Sequence, residues 1–164
     1  MHRLILLAGL ALAACAPAPT PVAGFRDAAS PIWSAAALDP GQLAGDWRQV
    51  AGFAAQSGGC RSGGLSFTPA TGGLAVTGTL CLNGQLQKMA SLARVTGPGR
   101  LTLDGQEEWW ILWVDSGYRT LAIGSPSGRF GFILDRGSLP PDRLTAAREV
   151  FDFNGYSTPA LRPF

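Results

Sequence analysis

The sequence predicts an all-β fold, an eight-stranded antiparallel up-and-down barrel with one C-terminal α-helix packed outside. Between Leu43 and Arg136 glycine is abundant, and turn residues recur about every 8 to 12 positions, as in antiparallel barrels and sandwiches. This region contains no long stretch with the 3.6-residue apolar period of a helix. Helical spacing begins only after Arg136, so the one helix should follow the last strand.

The turns define the strands. Asn83-Gly84 is the most specific hairpin turn, because both residue types tolerate a positive φ. The other connections also contain glycine or proline. Eight strands are enough to close a barrel and leave no free edge. The predicted strands are 46–56, 61–68, 73–82, 86–95, 100–104, 108–115, 118–125 and 129–136.

The predicted helix follows the strands. Pro140-Pro141-Asp142 is typical of a helix start, and Asn154-Gly155 is typical of a helix end. One apolar stripe lies between them, so a helix of about twelve residues should pack on the outside of the barrel. The rest of the chain, 156–164, is expected to be a tail. The stripe consists of Leu144, Ala147, Arg148 and Phe151.

The N-terminus has the pattern of a cleavable signal peptide, residues 1–14. A short basic start precedes an apolar run from Leu4 to Ala14, which is too short to span a bilayer permanently. The sequence Leu12-Ala13-Ala14-Cys15 resembles the bacterial lipobox, which implies acylation of Cys15. Because Ala16 and not an acidic residue follows, the outer membrane is favoured, with the protein facing the periplasm. The alternative is an ordinary secretory signal in which Cys15 is incidental.

Residues 15–37 are rich in alanine and proline and are predicted to be a tether, followed by the barrel domain at 38–164. Phe25, Ile32 and Trp33 are unusual in a pure spacer. We therefore expect part of the tether to dock on the barrel.

Composition argues against several functions. The 150 residues after the signal carry 12 basic and 11 acidic side chains without a basic cluster, so no nucleic-acid partner is expected. The single histidine, His2, lies in the signal, which leaves no imidazole for a catalytic triad or a metal. Glu107 and Glu108 are neighbours on a strand and should point to opposite faces. We expect neither enzymatic activity nor a cofactor or metal.

With Cys15 acylated, Cys60 and Cys81 form an even pair in an oxidising compartment. If strands 61–68 and 73–82 form a hairpin centred between residues 70 and 71, the two cysteines lie opposite each other, close enough for a disulfide. The alternative is two free thiols.

Three motifs, in this order, resemble the three conserved regions of the lipocalins: Gly45-Asp46-Trp47, Asp115–Arg119 and Ile133–Arg136. The segments 109–115 and 132–136 are most similar to the bacterial outer-membrane lipoproteins of the apolipoprotein-D-like group. The resemblance covers roughly residues 38–155. It implies a barrel whose closed end is plugged by Trp47 with Arg136 across the indole face, while Asp115 and Tyr118 shape the turn at that end.

The resemblance also implies that the barrel interior binds small hydrophobic ligands such as fatty acids or lysophospholipids. Projection from Trp47 and Arg136 puts Ala51 and Phe53 of strand one inside. The similarity to the family puts Trp110 and Leu112 of strand six inside. The opposite assignment of alternate side chains puts Trp109, Ile111 and Trp113 inside, and the apolar pattern does not decide between the two. The remaining predicted ligand residues are Leu65, Phe67, Val76 and Phe132, with Leu65/Val76 and Phe67/Leu74 as hairpin partners.

The alternative function is that of a structural or protein-binding envelope lipoprotein. An eight-stranded barrel has room either for side chains or for one small ligand. In the alternative, side chains fill the barrel and its outer surface recognises a protein.

Overall fold

The computed structural model describes residues 24–164 as a closed antiparallel barrel of eight strands, with one helix outside it. The predicted fold class is therefore confirmed. Each strand pairs with the next along the chain, and β1 closes the barrel by pairing with both β8 and β2. The strands are β1 (Gly45–Phe53), β2 (Gly63–Ala70), β3 (Gly73–Leu82), β4 (Gln85–Gly97), β5 (Arg100–Leu103), β6 (Trp109–Val114), β7 (Thr120–Gly124) and β8 (Gly131–Asp135); α1 spans Pro141–Phe153, and short 3-10 helices span Pro40–Leu43 and Thr158–Ala160.

The alternating strand directions give the barrel two distinct ends. We call the end where β1 begins the closed end, which also holds the loop 115–119 between β6 and β7. The open end holds the loops 54–62 and 125–130 and the turn at Asn83-Gly84. Both residues of that turn have positive φ, 49° and 77°, as the sequence predicted for a two-residue hairpin.

The barrel interior is filled by apolar side chains from all eight strands. Each of them is at most 5% exposed, so this core is packed and holds no space for a large ligand. Its members are Leu43, Trp47, Leu65, Phe67, Leu74, Val76, Leu80, Met89, Ala93, Leu101, Leu103, Trp109, Ile111, Leu121, Ile123, Phe132 and Leu134.

A second apolar cluster lies outside the barrel, between the sheet and α1. Phe151 of the helix packs on Phe53 of β1, with ring centroids 4.9 Å apart and the rings edge to face. Tyr156 packs on both rings. Phe25 and Ile32 also pack against this cluster, as expected for a docked part of the N-terminal segment.

The prediction that Ala51 and Phe53 face the barrel interior is wrong. A β-bulge between Gln49 and Ala51 shifts the pairing of β1 with β8 by one residue. A one-residue shift turns every later side chain of a strand to the other face. Ala51 and Phe53 therefore pack in the outer cluster.

The prediction that Trp110 and Leu112 face the interior is also wrong. Trp109 and Ile111 are the inward residues of β6, whereas Trp110 and Leu112 pack in the outer cluster. The alternative prediction, with Trp109, Ile111 and Trp113 inside, is only partly correct, because a bulge between Ile111 and Trp113 turns Trp113 outward.

The Cys60–Cys81 disulfide is confirmed, with the two Cα atoms 5.7 Å apart. The predicted register was wrong by two residues, because Phe67 pairs with Val76 and not with Leu74. Cys60 precedes β2 in the open-end loop, where its N–H donates to the carbonyl of Gly84 over 3.0 Å. The bridge thus joins a loop to β3 and not two opposed strand positions.

The C-terminal tail contains a further strand that the sequence did not predict. Residues Leu161–Pro163 form β9, which pairs antiparallel with the end of β1. The predicted signal peptide, Cys15 and the first part of the predicted tether lie outside the described residues. Within residues 24–164, no helix is long and apolar enough to cross a membrane.

Candidate functional site

The closed end of the barrel is held by Trp47 and Arg136. The Arg136 guanidinium lies 4.1 Å from the centre of the Trp47 indole and donates hydrogen bonds to the carbonyls of Gln42, Ala44 and Tyr118. The indole N–H donates to the Leu43 carbonyl over 2.8 Å. Gly45 has φ 111°, and a Cβ there would lie 2.7 Å from the guanidinium, so a glycine fits where a side chain would collide. All of these contacts are structural.

Asp115 organises the turn between β6 and β7 at the same end. Its carboxylate accepts hydrogen bonds from the N–H groups of Gly117, Arg119 and Thr120, and Tyr118 has a φ of 49° within the turn. Burial raises the pKa of Asp115, but the hydrogen bonds from Thr120 and Arg119 outweigh it and hold the pKa below the ordinary value. The carboxylate therefore stays ionised and fixes the turn.

Four of the predicted ligand residues, Leu65, Phe67, Val76 and Phe132, lie inside the barrel, each at most 3% exposed. They contribute to the packed core, and none of them lines the pocket at the open end described below. At the open end Trp109 packs edge to face on Phe132, with centroids 5.3 Å apart. Contact between a ligand and the four predicted residues inside the barrel stays a prediction. Such contact would require the packed side chains of the core to move.

A pocket of about 390 Å³ lies outside the barrel, at its open end. The β1–β2 loop, the disulfide and the C-terminal strand β9 enclose it. Phe53 is the one predicted ligand residue among the lining residues, but its side chain is only 1% exposed and packs in the outer cluster. The lining residues are Gly52, Phe53, Ala54, Gln56, Ser57, Gly58, Cys60, Arg61, Cys81, Gly84, Arg162, Pro163 and Phe164.

The pocket combines an apolar wall with two cations. The disulfide and Phe164 supply apolar surface, and Phe164 is 38% exposed. Arg61 enters from the loop and Arg162 from β9; both are exposed, and no acidic residue lines the pocket with them. The arrangement suits a molecule with an apolar part and an anionic group.

Sequence reasoning missed Arg61, Arg162 and Phe164. Arg61 and Arg162 are about a hundred positions apart, and they share a pocket only because β9 returns to pair with β1. The one sequence signal was the alternation at Leu161-Arg162, which is too short to predict a strand.

The part of the chain that the structure describes holds no group of three or more His, Cys, Asp or Glu side chains arranged to bind a metal ion. Glu107 is not paired with Glu108. It accepts hydrogen bonds from Ser127, whereas Glu108 accepts from Thr96 and Trp110. Each carboxylate thus has its own structural partners.

Solved structures with a similar fold include one from a lobster and one from cockroaches. Lobster apocrustacyanin A1 is 14% identical, with a TM-score of 0.56 over 82% of this chain and 88% of that chain. The cockroach major allergen Per a 4 is 13% identical, with a TM-score of 0.60 over 84% of this chain and 94% of that one. No family model matches the chain, and neither does any curated protein. At these identities the likeness shows the fold alone, and that fold is the lipocalin barrel.

Proposed function

We propose that this chain is a lipid-anchored lipocalin of a bacterial envelope, similar to the apolipoprotein-D-like group, that binds small hydrophobic molecules carrying an anionic group. Fatty acids and lysophospholipids have this chemistry. The open-end pocket is the observation that carries the proposal, because the barrel interior is already filled.

The size and lining of the pocket support an amphiphile. Its 390 Å³ falls within the range of small-molecule sites, roughly 300–1,000 Å³. Phe164 and the disulfide can cover part of an acyl chain. Because the Phe164 side chain is partly exposed, its ring is accessible to a ligand in the pocket.

The two guanidinium groups select the head group. Arg61 and Arg162 can each donate two parallel hydrogen bonds to a carboxylate or phosphate. Because both arginines are exposed, water and salt weaken their attraction for an anion. We therefore expect binding to need the apolar contact as well as the charge.

Acylation of Cys15 places this pocket at a membrane. Several acyl chains on one cysteine anchor a protein far more firmly than one chain alone. Ala16, in the position after the cysteine, favours the outer membrane and a periplasmic orientation. No catalytic step is part of this proposal.

Native mass spectrometry of the Cys15→Ser chain tests the binding. With palmitate and with a lysophospholipid we expect one-to-one complexes. With the uncharged alcohol that has the same carbon chain as palmitate we expect no complex. The double variant Arg61→Gln/Arg162→Gln should bind palmitate at least about tenfold more weakly, roughly 1.4 kcal/mol. The matched control is Arg48→Gln/Arg129→Gln, which removes two exposed arginines that do not line the pocket. Equal binding by both double variants would place the ligand elsewhere.

The filled barrel supports a second candidate, a protein-binding envelope lipoprotein. Seventeen interior side chains are packed to 5% exposure or less, so the interior is filled without a ligand. If no lipid of the panel binds the wild-type sequence, this second function replaces the first.

A further inference from the structure

The described part of the chain starts at a fixed point on the open end of the barrel. Phe25 donates its N–H to the Gly128 carbonyl over 2.6 Å and accepts from the Ser157 N–H over 2.7 Å. The Arg26 guanidinium, almost buried, donates to the carbonyls of Asn154 and Pro126 over 2.9 and 2.6 Å. The N-terminal segment therefore enters the domain at a defined place, beside the C-terminal end of α1.

Two exposed aromatic side chains lie close to this point. Phe153, at the end of α1, is 72% exposed, and Trp33 is 61% exposed. Both residues flank Asn154. Phe153 precedes Asn154 in the chain, and the backbone N–H of Trp33 donates to the side-chain oxygen of Asn154 over 2.6 Å. Within residues 24–164 they are the two most exposed aromatic side chains.

The direction of these side chains is set by their neighbours. Phe151, two positions before Phe153, is fully buried against the barrel, so Phe153 points to the opposite side of the helix. Ile32 packs in the outer cluster, while the next residue, Trp33, faces away from it. We call the surface defined by Gly24, Trp33 and Phe153 the tether-exit face.

We infer that the tether-exit face rests on the lipid bilayer to which Cys15 is anchored, with both aromatic side chains in the interface. This inference rests on the acylation of Cys15 in the proposed function. Eight residues lie between Cys15 and Gly24, and even fully extended this stretch spans at most about 30 Å. The anchor thus holds this face next to the membrane, where a local concentration in the millimolar range makes weak contacts effective.

The chemistry of the face favours a lipid interface. Tryptophan concentrates at the boundary between head groups and acyl chains, where its ring and its polar N–H are both accommodated. The nearby exposed charges have both signs, Asp27 and Asp152 against Arg129. Contact should therefore depend on aromatic insertion and not on anionic lipid, and it should change little with salt.

This orientation brings the pocket to the membrane. The Phe25 ring lies 5.6 Å from the ring of Phe53, which lines the pocket. The attachment point and the proposed ligand site therefore both lie at the open end of the barrel, although the Phe53 side chain itself is buried. An amphiphile leaving the bilayer would meet the open end of the barrel first.

Quenching by brominated lipid tests the orientation. The full acylated protein is reconstituted in phosphatidylcholine vesicles with bromine on the upper acyl carbons, and its tryptophan fluorescence is compared with that in unbrominated vesicles. Trp47 and Trp109 are at most 2% exposed, and Trp110 and Trp113 are half-buried against the outer cluster, so most of the quenching should come from Trp33, which is 61% exposed. Trp33→Phe should remove most of it, whereas the control Trp113→Phe should retain it. Phe153→Ser should reduce it, and added salt should not.

The outcomes separate the orientation from the anchor. Wild-type protein that floats with the vesicles but is not quenched, or is quenched equally in Trp33→Phe, contradicts the orientation and leaves the anchor intact. Protein that does not float contradicts the anchor, and with it the orientation. Cys15→Ser should abolish flotation, because two aromatic side chains alone bind a bilayer weakly.

Discussion

The side-chain amide of Gln49 pairs with the peptide of Cys81. Its Nε2 donates to the Cys81 carbonyl over 2.8 Å, and its Oε1 accepts from the Cys81 N–H over 2.6 Å. β2 begins only at Gly63, so the Cys81 peptide has no neighbouring strand on that side. Gln49, 4% exposed, replaces the missing strand and links β1 to the cysteine that borders the pocket.

Replacing Gln49 with alanine should destabilise the barrel. The change leaves a buried N–H and a buried carbonyl unpaired, which costs about 1–3 kcal/mol. Urea denaturation followed by fluorescence measures the loss. Gln87→Ala is the matched control, because Gln87 is exposed on β4 and should change stability by less than about 0.5 kcal/mol. Equal midpoints for the two variants would contradict the role of the amide.

Removing the disulfide should also lower stability. The bridge joins residues 21 positions apart, and the chain-entropy relation gives about 3 kcal/mol for a loop near this length. The double variant Cys60→Ser/Cys81→Ser should unfold at lower urea than the oxidised protein and should match the reduced one. Because the bridge walls the pocket, the same variant should also bind palmitate more weakly. A reduced protein as stable as the oxidised one would contradict this prediction.

Tyr156 should make the fold sensitive to alkali. Its hydroxyl accepts from the Ser125 N–H over 2.8 Å, and burial raises its pKa to about 12 from the ordinary 10.0. The folded state thus holds the proton after the unfolded state has lost it. The stabilisation is complete below about pH 10 and disappears towards pH 12, on the order of 2 kcal/mol.

Stability measured against pH in the wild type and in Tyr156→Phe checks this. The difference between them should be constant up to about pH 10 and shrink above it. Tyrosinate absorbance in a Tyr118→Phe background, which leaves one tyrosine, should show a midpoint near 12. A midpoint near 10 would show that the hydroxyl is not buried as described.

The strands were predictable because turn residues mark their ends. Asn83-Gly84 illustrates this, since a positive φ at both positions is needed and both residue types allow it. The closed-end residues Trp47 and Arg136 were predictable as well, because the motifs that contain them resemble conserved regions of the lipocalins in the same order along the chain. These features depend on local sequence.

The pocket was not predictable, because it depends on non-local geometry. The bulge at Gln49/Ala51 leaves no mark on the apolar pattern, yet it turns Phe53 out of the barrel and into the outer cluster. On β6 both faces are apolar, since one meets the barrel core and the other meets α1. The apolar pattern therefore does not show which side chains of β6 face the barrel interior. Only the folded chain brings Arg162 of β9 to Arg61.

Asp115 should make the fold sensitive to acid. Burial opposes its ionisation, but the N–H donors of Thr120 and Arg119 prevail and lower its pKa below 3.8. A lowered pKa stabilises the fold above the unfolded value, and this stabilisation disappears as the pH falls through the folded value. Asp115→Asn should therefore cost about 1–2 kcal/mol near neutrality and progressively less below about pH 4.

Urea denaturation of Asp115→Asn at several pH values measures this dependence. Asp46→Asn is the control, because Asp46 is exposed on β1 and should show no such change. If the loss of unfolding free energy in Asp115→Asn stays constant with pH, the ionised carboxylate does not stabilise the turn.

Arg136→Lys should open the closed end, although the positive charge is kept. The guanidinium stacks on Trp47 and reaches three carbonyls from a planar fork, whereas an ammonium group can neither stack as well nor span them together. We expect a loss of about 1–2 kcal/mol and a red shift of the Trp47 emission as water reaches the indole. Arg48→Lys is the matched control on the exposed face of β1 and should change neither quantity. If the two variants unfold alike and Trp47 stays shielded, the closed end is held by the Trp47–Leu43 hydrogen bond and the apolar core, and the guanidinium only covers it.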